Sequence, residues 1–277
     1  NDALQKARRL YSAAKAGHTG TLDPMATGLL PVCFGEATKF SNRLLEADKT
    51  YEAVMRLGQT TRTGDAEGEI LRERAVDVSD PVLTALAARF LGEQAQLPPM
   101  YSALKHQGRA LYEYAREGLE IPREARQITV FALEIAGRRE HDVTFIVRCS
   151  KGTYVRTLAE DMGEALGCGA HLVALRRTGI GDLCVRDAHT LESLGVLDEP
   201  ARVPLLASPD ALLAHLPAVT LDDRAERGIL YGQPVRAETA LAGEVRLYGP
   251  AGNFLGLAAA DGHGAIKPLR LLASKLP

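Results

Sequence analysis

The hydrophobic period of the chain changes several times, and each change marks an element. Across residues 1–15, Leu4, Ala7, Leu10, Tyr11 and Ala14 fall on one face of a helical wheel, which predicts an amphipathic helix. Between 51 and 57 the period drops to two. Tyr51, Ala53, Met55 and Leu57 alternate there with Glu52, Val54 and Arg56, as in a strand with one face on a core. A second helix is expected over 81–90, with Pro81 at its first position, Asp80 as its cap and Leu83, Leu86 and Phe90 at helical spacing. Residues 97–101 read as extended and proline-marked, and 109–117 as a short helix. Two runs rich in β-branched and apolar residues, 127–135 and 143–149, predict further strands. Thr157 and Glu160 have capping-box spacing, so a helix is expected just after Arg156, with Leu158, Met162 and Leu166 on one face and Gly167 at its end.

Helices and strands that mix without regular βαβ alternation indicate an α+β fold, a mixed and largely antiparallel sheet flanked by helices. Four of the fourteen prolines, Pro200, Pro204, Pro209 and Pro217, crowd a segment where both periodicities lapse. A boundary placed there gives a larger domain over 1–208 and a smaller one over 209–277. In the smaller domain, 245–248 and 254–258 read as short strands across the Gly249-Pro250-Ala251-Gly252 turn, the pattern of a β-rich module.

Composition narrows the class. At 277 residues and 46% hydrophobic the chain can build a sizeable core. No apolar run reaches the length of a bilayer span and the N-terminus lacks the core of a secretory signal, so a cytoplasmic protein is expected. Cys33, Cys149, Cys168 and Cys184 form no C-x-x-C pair and no histidine cluster completes zinc spacing, so neither disulfide nor metal is expected. A net charge of -2 offers no global attraction for nucleic acid, and any RNA surface must be local.

The candidate chemistry is concentrated in Gly17-His18-Thr19-Gly20-Thr21-Leu22-Asp23-Pro24-Met25-Ala26-Thr27-Gly28. Pro24 disfavours a helical Asp23, and the glycines permit tight turns, so the loop can present the Asp23 carboxylate outward as a nucleophile. The local alternative is an ordinary helix start with Asp23 as N-cap. Arg156 lies where a helix N-terminal edge is expected; a cation opposes the macrodipole there, which hints at a partner elsewhere, although Glu160 is a possible one.

Four further segments accompany that loop: Pro31-Val32-Cys33-Phe34-Gly35-Glu36-Ala37-Thr38-Lys39, Asp48-Lys49-Thr50-Tyr51, Pro99-Met100-Tyr101-Ser102-Ala103-Leu104-Lys105, and Ser150-Lys151-Gly152-Thr153-Tyr154-Val155-Arg156-Thr157. In residues and order the set resembles the tRNA pseudouridine synthases of the bacterial TruB type. Specific motifs carry the resemblance from Asn1 to about residue 190, and the remainder is loosely similar to a C-terminal RNA-binding PUA-type domain. The resemblance implies the pseudouridine synthase fold, a PUA-like smaller domain, and isomerisation of the uridine at position 55 in the T loop of tRNA. It also implies that Asp23 attacks the target uridine and that Arg156 pairs with it. Tyr51 would pack on the uracil as a candidate acceptor of the C5 proton, Tyr154 would line the pocket, Leu175 would contact the nucleotide, and His18 would fill the stack that the flipped base vacates. A core position is the alternative for Tyr51 and Leu175, and a turn position for His18. Lys39, Lys105, Arg109 and Lys151 are candidates for the RNA backbone, as are Arg116, Arg123 and Arg126, but Glu113, Glu117, Glu120 and Glu124 are interleaved as in a solvated mixed-charge face.

The reaction is redox-neutral, so no cofactor is expected. The expected partner is tRNA through its T arm, with no membrane, no protein partner and a monomeric enzyme. In the family a strand and a K-P-x-G-x-S-type turn precede the first helix, so roughly two dozen natural residues are expected ahead of Asn1. A non-catalytic RNA-binding or tRNA-folding protein on the same scaffold is the alternative, against which stands the retention of Asp23 together with Arg156. Nucleotide hydrolysis fails for want of a G-x-x-x-x-G-K-[ST] segment, since Lys151-Gly152-Thr153 has the wrong order.

Overall fold

The computed structural model describes residues 2–272, which form two compact units. The larger contains Leu22–Leu29 and Glu46–Asp187; the smaller contains the rest of the described chain. These units interleave along the sequence, whereas the division expected from the prolines is a single cut at 208.

The larger unit is built on a seven-stranded sheet. Its strands run in the order Leu183–Cys184, Ala170–Ile180, Lys49–Leu57, Asp142–Cys149, Arg126–Arg139 and Gly92–Gln96, and Thr27–Gly28 adds a short parallel pairing to Ala170–Ile180. All the other pairings are antiparallel. Period-two alternation turns Ala53, Met55 and Leu57 inward beside Val143, Phe145 and Val147, as expected for strands with one apolar face. The helices Asp80–Arg89 and Val155–Ala165 bury Leu83 and Leu86, and Leu158 and Met162, in that same core. An α+β fold with a largely antiparallel sheet is therefore what the chain adopts.

Several element ends differ from expectation. The first helix stops at Leu10 because Ser12 takes a left-handed φ of 47° and the chain then enters the Ala16–His18 strand, paired with Val32–Phe34. Ser79, in extended conformation, occupies the N-cap position of the second helix, and Asp80 is its first residue. The helix that carries Arg156 begins at Val155 with Tyr154 as its N-cap; the Thr157 hydroxyl is buried without a partner, so the expected capping box does not form. Gly167 ends it as expected, at φ 80°. The expected 109–117 helix is confined to Leu111–Arg116.

In the smaller unit a five-stranded sheet runs Ala218–Thr220, Ala242–Tyr248, Phe254–Asp261, Ala265–Leu271 and Val235–Arg236. The first pair is parallel and the rest antiparallel. Asp222 caps the helix Asp223–Leu230, which buries Ala225 and Ile229 against Val245, Leu247, Ala258 and Ile266. The two strands expected around Gly249–Gly252 are both present, and the module is β-rich. No helix among the described residues is long and apolar enough to cross a membrane.

Candidate active site

No helix follows Asp23. The amide of Ala26 donates to the Asp23 carbonyl (2.9 Å), closing a turn over Pro24 and Met25, and the chain passes directly into Thr27–Gly28. Met25 and Ala26 pack against the main core, so the apolar side of the loop is anchored while the Asp23 side chain keeps 32% of its surface in solvent. The helix-start alternative is excluded.

Arg156 lies in the first turn of Val155–Ala165 and is only 4% exposed. Its guanidinium donates through Nε to Asp23 Oδ2 (2.8 Å), through Nη1 to the Thr63 carbonyl (2.9 Å) and through Nη2 to the Tyr101 carbonyl (2.8 Å). Glu160 is not its ion-pair partner. Instead a second carboxylate, the buried Asp65, lies 3.6 Å from Nε through Oδ2. The other Asp65 oxygen accepts from the Thr63 hydroxyl and the Glu67 amide (3.1 Å). A buried guanidinium is tolerable only when paired and hydrogen-bonded, and this one is held by groups from three separate parts of the chain. Among the described residues no donor reaches Asp23 Oδ1. One oxygen of this carboxylate is thus fixed and the other available for chemistry.

Tyr51 and Arg177 are directly opposed on neighbouring strands. Burial pushes the Tyr51 hydroxyl up, against the opposing effect of the Arg177 guanidinium. Arg177, itself fully buried, also donates through Nε to the Leu29 carbonyl (2.9 Å), while Leu29 donates its amide to the Arg177 carbonyl (2.8 Å). The downstream end of the Asp23 loop is thereby stapled to the strand opposite Tyr51. Tyr154 is half-buried at the start of the Arg156 helix, and both of its backbone groups bond to the side chain of Gln96. Leu175 is buried in the main core beside Ala53.

His18 belongs to the smaller unit, where its Nδ1 accepts from the Gly20 amide (3.3 Å). Lys39, in that same unit, pairs with Glu36 (2.5 Å) and donates to the Leu271 carbonyl (2.9 Å). Lys151 pairs with Glu46, and Arg109 with Glu113 and Glu117. Of the four backbone candidates, Lys105 is the one without an ion pair among the described residues. Burial pushes the Cys33 and Cys149 thiols up to about 11, and all four cysteines are unbridged.

Sequence reasoning missed Asp65, Gln96 and Arg177. Asp65 follows Thr63-Gly64 in an ordinary-looking polar turn, and Arg177 sits in a strand whose arginines obscure its apolar alternation. Only their partners, distant in sequence, identify them.

Three family models match in succession: TruB family pseudouridylate synthase (N terminal domain) over residues 8–155, tRNA pseudouridylate synthase B C-terminal domain over 156–201, and Pseudouridine synthase II TruB, C-terminal, over 217–272. The chain belongs to the TruB family. Curated TruB-family relatives named tRNA pseudouridine synthase B include those of Burkholderia mallei, 54% identical over 99% of this chain and 93% of the relative, and of Chromobacterium violaceum, 54% identical over 99% and 91%. Another, from Ralstonia pickettii, is 55% identical over 98% of this chain and 90% of its own. A solved Cbf5-Nop10-Gar1 complex contains a chain of the same fold, with a TM-score of 0.72 and 26% identity, covering 98% of this chain and 79% of that one. A second chain, in an H/ACA RNP bound to a substrate RNA containing 2'-deoxyuridine, shares the fold at a TM-score of 0.72 and 22% identity over 99% and 81%. In this TruB-family chain, Asp23 and Arg156, from motifs far apart in the sequence, are joined by a hydrogen bond.

Proposed function

We propose that this chain converts uridine to pseudouridine at position 55 in the T loop of tRNA, with Asp23 as nucleophile. Family membership and the names of its relatives support pseudouridine formation in tRNA. The observation that carries the assignment to this site is the 2.8 Å bond from a buried Arg156 to one oxygen of a part-exposed Asp23.

In the reaction the bond between N1 and the ribose C1′ breaks, the uracil turns within its pocket, and C1′ joins C5; the C5 proton leaves and N1 is reprotonated. No oxidant or reductant enters. Attack by Asp23 on either the ribose carbon or the base serves this sequence, and the Arg156 guanidinium beside the carboxylate favours its charged form. Tyr51, opposite Arg177 on the neighbouring strand, is the candidate acceptor of the C5 proton. Tyr154 lines the pocket, Leu175 contacts the target nucleotide, and His18 occupies the stack left by the extruded base, offsetting an extrusion cost of roughly a few kcal/mol. Lys105 is the best placed of the backbone candidates, because Lys39, Arg109 and Lys151 must first leave carboxylate partners. Residues 1–208 would serve as the catalytic domain and 209–277 as a PUA-like RNA-binding module of a monomeric cytoplasmic enzyme acting on the T arm.

Asp23→Asn tests the assignment. It preserves the shape of the side chain, so fold and affinity for a T-arm hairpin are expected to persist while pseudouridine formation is lost. Undiminished product from the variant would refute the role of Asp23, and active RNA remodelling by both proteins without any product would favour the non-catalytic alternative.

A further inference from the structure

Gln96 ends the edge strand Gly92–Gln96 and is 2% exposed, an unusual place for a side chain with four hydrogen-bonding sites. Its Oε1 accepts from the Tyr154 amide (2.8 Å), and its Nε2 donates to the Tyr154 carbonyl (3.1 Å). The carboxamide thus pairs with both backbone groups of one residue, as a neighbouring strand would. That residue is the N-cap of the Val155–Ala165 helix, and its own side chain makes no capping bond. The Tyr154 carbonyl accepts the first helical bond from Leu158 as well (3.0 Å), so the side chain of Gln96 sets where and in what direction the helix starts.

Arg156 follows two residues later, in a first turn where the macrodipole disfavours a cation. The same short segment that begins at Gln96 reaches it again, because the Tyr101 carbonyl accepts from Arg156 Nη2 (2.8 Å). Between the two contacts lie Pro98 and Pro99, which restrict the backbone of the segment. One proline-stiffened strut therefore holds the helix start at one end and the guanidinium at the other.

We propose that Gln96 is a positioning residue for the reaction: by clamping the Tyr154 backbone it aims Arg156 at Asp23 and fixes Tyr154 at the pocket. This rests on the reading of Asp23 and Arg156 as the catalytic pair. Gln96 touches no substrate, so its effect belongs on turnover and not on affinity for tRNA.

The test compares the full chain with Gln96→Met, which is similar in length and removes both bonds, and Gln96→Glu, which keeps an acceptor for the Tyr154 amide. Arg126, the cross-strand neighbour of Gln96, is the cation that faces the introduced carboxylate. With an unmodified tRNA transcript, the single-turnover rate of Q96M is expected to fall about 10-fold or more, with Kd within about twofold of the parent and Q96E recovering part of the rate. In a chain already carrying Arg156→Lys, Q96M should lower the rate by less than about threefold, because both changes act through one guanidinium. Should Q96M fail to fold, the same cycle is run with Q96E. An undiminished rate, a loss confined to Kd, or a loss that multiplies unchanged in the R156K background overturns the proposal. Absence of product from the unsubstituted chain would instead overturn the assigned reaction.

Discussion

A β-carbon at Gly28 would lie 2.2 Å from the carbonyl oxygen of Arg177. The Asp23 loop leaves its turn by pairing Gly28 directly with Arg177, and only a residue without a side chain permits that approach; φ of 97° at Gly28 imposes the same requirement. Gly28→Ala is therefore expected to destabilise the protein by about 2 kcal/mol or more and to lower turnover. Urea unfolding and a single-turnover assay on the same preparation measure both effects, and parental values in each would show that the close approach is dispensable.

Asp65 is buried, with a hydrogen-bonded oxygen on one side and Arg156 on the other. Asp65→Asn removes the charge but keeps an oxygen for the Thr63 hydroxyl and the Glu67 amide. The expected stability loss is roughly 1–3 kcal/mol, because Arg156 retains Asp23 and two carbonyls. A fall in the single-turnover rate should accompany it, as the guanidinium is drawn entirely toward Asp23. A variant with an unchanged rate would exclude Asp65 from the electrostatics of the site.

Arg156→Lys keeps a positive charge but not the planar fork. One ammonium on a flexible stem cannot hold the geometry by which the guanidinium reaches Asp23, Thr63 and Tyr101 together. Turnover at saturating tRNA is expected to drop about 100-fold or more, since small misplacements of a reacting group are costly. Single-turnover measurement decides this, and a rate near that of the parent would mean that charge alone suffices.

Glu160 packs against the turn that carries Asp65: its carboxylate lies within 3.0 Å of where a β-carbon of Gly64 would stand. Burial pushes its carboxyl up to about 7; the neighbouring Asp161, and then Asp65 and Glu164, add to the effect, while Arg156 opposes it. The folded state therefore binds this proton more tightly than the unfolded chain, where a glutamate titrates near 4.3, about the ordinary value. Stability contributed by the protonated group is complete below that ordinary value and is lost as pH rises toward about 7. Glu160→Gln should accordingly gain on the parent between pH 5 and pH 8, by on the order of 1–3 kcal/mol. Urea midpoints at both pH values test the sign, and a difference that does not grow with pH would contradict it.

Much of the larger unit was legible because its periods are plain. The 51–57 alternation became the Lys49–Leu57 strand, and the runs at 127–135 and 143–149 became its neighbours in the sheet. The Ala170–Ile180 strand was not legible, because His171, Arg176 and Arg177 interrupt its apolar pattern, and two of these are buried against partners remote in sequence. The start of the Arg156 helix was misplaced for a related reason. Thr157 and Glu160 have the spacing of a local cap, yet a glutamine more than fifty residues earlier sets the helix end.

Local composition determined that Asp23 would stand in a turn and face outward, since Pro24 and the surrounding glycines restrict or release the backbone without reference to anything distant. The ordered motifs determined the family. What only the tertiary structure decided is the state of that carboxylate's surroundings: which oxygen is held, and that Asp65, Thr63 and Tyr101 together hold the arginine that holds it. Backbone preference is a property of neighbouring residues and can be read along a chain, whereas hydrogen-bond satisfaction of a buried cation depends on groups that become neighbours only when the sheet, the helix and the turn have packed.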